Sequence, residues 1–183
     1  SLLDGLIGML GYLPQLAWFT GEDPKPQGSQ HPNLVPYGVF PASDGSIVIA
    51  CLMNSFWASI CRALGMEDWI EDTRFDTLEK RRDARGIVNE RIAATTSQKT
   101  VDELVDIFTG HQVPHAPILG IRDALSQPQA VARQMVVETD HQRLGKIPIV
   151  NRSIQFPGDA QPVPAAPPVL GQHTDDILAD ILG

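Results

Sequence analysis

Proline placement constrains this chain more than any other feature. Of its 15 prolines, four fall within residues 20–36 and five within residues 157–168. Proline locks φ and has no N–H to donate, so helix interiors and central strands exclude it. Gly21 and Gly28 reinforce the first stretch, and neither stretch is compatible with regular structure. Helices and strands are therefore confined to an apolar head at 1–19, a body at 37–156 and a short tail after the second proline run. A loop as long as 20–36 inside a domain is usually functional or flexible. Extended proline-rich connectors also span distance at low entropic cost.

The head, Ser1 to Phe19, runs for 17 residues between Asp4 and Glu22 without a charge. That is the lower limit for a membrane span. Pro14, Gln15 and the glycines at 5, 8 and 11 weaken such a reading, and no basic region precedes it as a secretion signal requires. A helix that is apolar nearly all round needs neighbours on every side. The expectation is one helix whose packing partner lies largely outside the chain, with Ser1 as a cut edge and a large apolar surface exposed over Leu2–Phe19.

The body reads as α+β and mostly helical. Tyr37–Pro41 and Ser46–Cys51, joined through Asp44-Gly45, predict a β-hairpin. Asn54 and Ser55 offer an N-cap for a helix over 56–64, stopped by Gly65. A longer helix is expected over 78–95, with Leu78, Ala84, Ile87, Val88 and Ile92 inward. Lys80, Arg81, Arg82, Arg85 and Arg91 would lie on its outer face, as a solvated surface or an anion site. Thr100-Val-Asp-Glu103 is a capping box opening a helix over 101–109. An extended segment follows at 113–119, with helical turns near 121–125 and 128–134. Short antiparallel strands are expected over 135–139, 147–150 and 153–156, and a last helix over 175–182.

At 43% hydrophobic and 20% charged, the composition is that of a globular protein. The balance of 22 acidic against 14 basic residues, a net charge of -8, argues against a general nucleic-acid binder, which carries a basic stripe. Cys51 and Cys61, the two cysteines, read as reduced core residues of a cytoplasmic protein. No phosphate loop, dinucleotide fingerprint or nucleophile elbow occurs. His111 and His115 have helical ligand spacing, but Pro114 breaks the helix that would align them, so no metal is expected.

Residues 31–50, His31-Pro-Asn-Leu-Val-Pro-Tyr37 through Asp44-Gly45 to Ala50, resemble the segment that opens the small domain of family III CoA-transferases, the CaiB/BaiF type. The resemblance continues through Asn54-Ser-Phe-Trp57, Asp72-Thr-Arg-Phe75 with Arg82, Val113-Pro-His-Ala-Pro-Ile118, Ala132-Arg-Gln-Met-Val136 and Pro167 to Leu178. Ser1-Leu-Leu-Asp4 is similar to a helix of the family's larger α/β body. The order and spacing hold over essentially the whole chain.

This resemblance implies the C-terminal portion of an acyl-CoA:carboxylate CoA-transferase. Residues 1–19 would close the large body, 20–36 would be a linker, and 37–156 the small domain. Residues 157–183 would form a connector and a helix returning to the large body. The family's nucleophilic aspartate would lie upstream of Ser1, leaving no catalytic residue in this chain. Coenzyme A would serve as substrate rather than resident cofactor. An interlocked homodimer is implied, with no nucleic-acid or membrane partner. His31, Asn33, Tyr37 and Asn54 are the candidates to face the acyl portion. Pro32, Pro36 and Tyr37 equally well shape the hairpin entry, and the cap of its helix explains Asn54 in full, although strand ends are also where substrate groups gather. A proline-braced loop replaces the glycine run of some relatives, so smaller loop motion is expected. Related 2-methylacyl-CoA racemases resemble a pattern with Glu where this chain has Met53. A thioether cannot carry a proton, which places transferase ahead of racemase. A non-catalytic module that binds an acyl-CoA or a partner chain is the other class of reading.

Overall fold

A computed structural model describes residues 1–155 and 163–182. The chain divides into two compact units, Ser1–Ile118 and the residues from Leu119 onward.

The first unit begins with α1 (Leu2–Gly8) and α2 (Leu13–Thr20). The head is thus two short helices, not one: the chain bends by 71° between them. Gly11 sits in that bend at φ +60°, a conformation that costs glycine nothing and other residues about 1 kcal/mol. Among the described residues no single helix is long and apolar enough to cross a membrane. Leu2, Met9, Trp18 and Phe19 are between 79% and 97% exposed, as the uniform apolarity of the head implies.

After the proline-rich stretch come β1 (Tyr37–Pro41) and β2 (Ser46–Ala50), the expected hairpin, paired from Tyr37↔Ala50 to Pro41↔Ser46. β3 (His115–Pro117) adds to the other edge of β2, also antiparallel. The alternation on β2 points Ile47 and Ile49 inward. Against this sheet pack α5 (Arg85–Thr96) and α6 (Val101–Gly110), with α3 (Asn54–Ala63) against α6 and α4 (Leu78–Asp83) against α5. Through α3 and its C-cap, Trp57, Ile60, Cys61 and Leu64 recur at i, i+3, i+4 and i+7 and are all buried, the spacing of one helical stripe. They join Phe40, Phe75, Val88, Ile92, Leu104 and Phe108 in one core. The capping box of α6 forms as expected: Glu103 N–H donates to Thr100 Oγ1 at 3.2 Å and Thr100 N–H to Glu103 Oε2 at 2.8 Å. Asp44 Oδ1 accepts from Val101 N–H at 2.8 Å, tying the hairpin turn to that helix start.

Two local expectations are corrected here. The helix expected over 78–95 is broken at Ala84 (φ -94°, ψ 18°) into α4 and α5. Ile87, expected inward, is exposed, whereas Arg81, expected outward, is 1% exposed. The break lets α4 aim Arg81 and α5 aim Arg85 at the segment before β1. Second, Asn54 does not cap α3. It is the first helical residue, Met53 holds the cap position without a side-chain bond, and the Asn54 side chain is engaged elsewhere.

Cys51 and Cys61 are both free and buried. Burial drives their pKa values up to about 11 and about 12, with the second thiol contributing for Cys61 and Arg81 opposing in both. Thiolate is the reactive form, so neither should label in the native protein at pH 8 with a disulfide reagent, while both should label in denaturant. Peptide mass mapping gives the readout; rapid native labelling at either would contradict the buried placement.

In the second unit, α7 (Ile121–Leu125) and α8 (Pro128–Ala132) precede a hairpin of β4 (Val136–His141) and β5 (Gly145–Val150). The third strand expected at 153–156 does not form over Ser153–Gln155; Phe156 lies outside the described residues. Asn151 explains this: its Nδ2 donates to Gln134 O at 2.9 Å and its Oδ1 accepts from Arg152 N–H at 2.8 Å. Gln155 Nε2 then donates to Arg133 O at 2.9 Å, outside any strand ladder. Of the expected connector, residues 157–162 lie outside the described residues, and 163–169 carry no helix or strand. α9 (Thr174–Leu182) ends the described chain.

Candidate functional site

The segment entering β1 is held by hydrogen bonds from both sides. His31 N–H donates to Tyr37 O at 2.8 Å, and Cys51 N–H to Pro36 O at 2.9 Å, extending the hairpin outward. Gln30 Nε2 donates to Val39 O at 3.3 Å, and Asn89 Nδ2 to Gln30 Oε1 at 3.2 Å. Gly38 allows this approach: a Cβ there would stand 2.5 Å from the Gln30 side-chain amide.

Two arginines brace the same segment. Arg85 Nη1 donates to His31 O at 2.9 Å and Nη2 to Pro32 O at 2.6 Å. Arg81 donates from Nε to Val35 O at 3.1 Å, from Nη1 to Phe75 O at 2.8 Å and from Nη2 to Asn54 Oδ1 at 2.7 Å. Its guanidinium lies 5.2 Å from the Trp57 ring centroid, a favourable cation–π distance. Among the described residues neither arginine forms an ion pair with a carboxylate. Burial lowers the pKa of each, yet a guanidinium keeps its charge. Their hydrogen bonds thus all go to neutral oxygens, while Glu79 and Asp76 act on Arg81 only from beyond ion-pair distance.

Three of the four candidate residues form one cluster. His31 and Tyr37 stack with ring centroids 5.1 Å apart and planes 23° from parallel. Asn33 N–H donates to His31 Nδ1 at 3.1 Å, and its own side chain is exposed. Asn54 belongs to a separate element, and Arg81 links it to the loop through Val35 O. An open cleft of about 540 Å³ flanks the loop, lined mainly by Leu10, Leu13, Pro24, Pro26, Gln30 and Pro32. Its size is that of small-molecule sites. Among the described residues no group of three or more His, Cys, Asp or Glu side chains is placed to hold a metal ion.

Arg81 and Arg85 are what sequence reading passed over as bracing residues. Positions 81, 85, 88 and 92 follow i, i+4, i+7 and i+11, so on the unbroken helix that the sequence suggests the arginines would share a stripe with Val88 and Ile92. That periodicity is the signal that would have turned them inward.

The model for CoA-transferase family III matches residues 1–174. The chain belongs to that family. It is similar to succinyl-CoA:glutarate CoA-transferase of Homo sapiens, with 26% identity over all of this chain and 42% of that protein. It is also similar to succinyl-CoA–D-citramalate CoA-transferase of Chloroflexus aurantiacus, with 27% identity over all of this chain and 46% of that protein. A crystal structure of a CaiB/BaiF family protein from Brucella suis superposes with a TM-score of 0.80 at 29% identity, covering 99% of this chain and 47% of that one. This CoA-transferase family III chain therefore spans less than half the length of these relatives. Its mixed α+β fold is that of the CaiB/BaiF structure.

Proposed function

We propose that this chain is the C-terminal part of a CoA-transferase that moves CoA between an acyl-CoA and a carboxylic acid. The observation that carries the reading is the family match over residues 1–174. Relatives named for succinyl-CoA with glutarate or D-citramalate point to dicarboxylic acids as the substrate class.

In this reading an aspartate upstream of Ser1 attacks the donor thioester, forming a mixed anhydride and releasing CoA thiolate. The thiolate attacks the aspartyl carbonyl, giving an aspartyl-CoA thioester and freeing the donor's acid. The acceptor carboxylate attacks that thioester, forming a second anhydride and again releasing the thiolate. Attack on the acceptor's carbonyl then gives the new acyl-CoA and restores the aspartate. Splitting one exchange into successive acyl transfers lowers each barrier. His31, Asn33, Tyr37 and Asn54 face the acyl portion, with Arg81 and Arg85 fixing the loop that carries three of them. Residues 37–156 act as the small domain, and residues 1–19 and 157–183 belong with the large body. The whole enzyme works as an interlocked cytoplasmic homodimer, with CoA as substrate and no resident cofactor.

Incubation of the natural-length protein with succinyl-CoA and glutarate, followed by mass spectrometry of the CoA esters, tests this. The expected result is a glutaryl ester at the expense of the succinyl ester, with an enzyme adduct of CoA mass seen before acceptor is added. CoA-ester binding without exchange would favour a binding module. Deuterium wash-in at the α-carbon of a 2-methylacyl-CoA, without exchange, would favour a racemase, against the inability of Met53 to carry a proton.

A further inference from the structure

His31 has one ring nitrogen committed to the loop itself. Its Nδ1 lies 3.1 Å from Asn33 N and 3.0 Å from Leu34 N. Both partners are backbone N–H groups, so Nδ1 must be the acceptor and cannot carry the proton. In a neutral imidazole the proton is then on Nε2. The other anchors leave this tautomer no freedom to turn. One ring face lies against Tyr37, the His31 N–H is bound to Tyr37 O, and the His31 carbonyl is held by Arg85. Nε2 makes no hydrogen bond among the described residues, and the side chain is half-buried rather than enclosed.

From this geometry we infer that toward the substrate His31 acts only as a donor: a neutral imidazole whose Nδ1 is committed to the loop and whose fixed Nε2–H binds an anionic oxygen of the substrate. Resting on the transferase reading above, this assigns His31 a chemical role that the other loop residues do not share. The oxygen is anionic because the loop that carries His31 rests on the Arg85 guanidinium, which donates to the His31 and Pro32 carbonyls and forms no ion pair among the described residues, a charge that favours an anion beside the ring. Burial, and then the charge of Arg85, hold the pKa of His31 below the usual imidazole value, so the ring is neutral at pH 7 and above. General acid–base cycling would require Nδ1 to take up a proton and shed two backbone bonds; donating from Nε2 requires no such change. Two substrate oxygens meet the description: the distal carboxylate of a dicarboxylic acid, and the oxyanion that develops on the acyl carbonyl during transfer.

Two isosteric substitutions separate the role from mere loop bracing. In His31→Asn, the amide oxygen takes the place of Nδ1 and still caps Asn33 and Leu34, but no donor reaches the Nε2 position. In His31→Gln, the amide nitrogen reaches the Nε2 position while the cap is lost. The natural-length protein and both variants are assayed for exchange, with thermal midpoints recorded alongside. His31→Asn is expected to lower the midpoint only slightly, through loss of the Tyr37 stack, and to lose about 10²-fold in exchange rate, while His31→Gln keeps more activity despite a lower midpoint still. A loss in kcat with every acceptor identifies the oxyanion. A rise in KM confined to dicarboxylic acceptors identifies the distal carboxylate. Wild-type rates in His31→Asn would overturn the inference and leave the transferase reading intact; no exchange by the wild-type protein would overturn both. The tautomer is read independently from the ¹⁵N imidazole resonances, assigned by their loss in His31→Asn. A proton on Nδ1 would defeat the inference whatever the kinetics.

Discussion

Replacing Arg81 with Met is expected to lower the stability of the first unit by about 3 kcal/mol, read from the urea midpoint. The straight stem is retained, so the change removes the guanidinium more than the packing. What it leaves behind decides the size. Val35 and Phe75 are 0% and 1% exposed, and both of their carbonyls lose the donor that Arg81 supplied at 3.1 and 2.8 Å. Each buried acceptor left without a donor costs roughly 1–3 kcal/mol. Against this stands the desolvation of the cation itself, which the variant no longer bears. Two acceptors outweigh that relief because the cation is already well served, with three hydrogen bonds and an aromatic face. Arg81→Lys keeps the charge but not the planar fork and should fall between the two. In the proposed transferase, exchange by the natural-length protein should drop in both variants, since Asn54 and the loop at Val35 lose their shared anchor. A midpoint for Arg81→Met within error of the wild type would show that Arg81 braces nothing.

The elements legible in the sequence are those specified within a few residues. The β1–β2 hairpin follows from alternation around Asp44-Gly45, α6 from its capping box, and the buried stripe of α3 from its spacing. What sequence reading missed has its cause further away. Nothing at Ala84 marks a helix break; the break appears because Arg81 and Arg85 must reach carbonyls about 50 positions upstream. Asn54 looks like a cap because its neighbours suit one, but a buried guanidinium 27 residues away takes its oxygen instead. The strand expected beyond β5 fails because Asn151 diverts the backbone after Val150. At the site, the resemblance singled out His31, Asn33, Tyr37 and Asn54, and the fold gathers the first three. The arginines that hold them were readable only by treating charged positions as candidates for a buried stripe, which composition discourages.

Trp57 yields a prediction of similar size with an unequal pair of outcomes. Its ring is 3% exposed and meets Trp69 at 6.3 Å, Phe75 at 6.4 Å and the Arg81 guanidinium at 5.2 Å. Trp57→Ala should cost about 3–5 kcal/mol, the usual range for truncating a buried aromatic, and it also strips Arg81 of its aromatic face. Trp57→Phe should cost much less, about 1 kcal/mol. It leaves a ring beside Arg81, and it removes the indole Nε1–H, which is buried without an acceptor among the described residues. Losing such an orphan donor recovers part of what the smaller ring gives up in packing. The contrast is measured by urea denaturation of both variants beside the wild type. Equal losses would mean that the indole N–H has a partner, such as a bridging water. A small loss in Trp57→Ala would mean that the aromatic cluster does not hold Arg81, and with it the loop, in place.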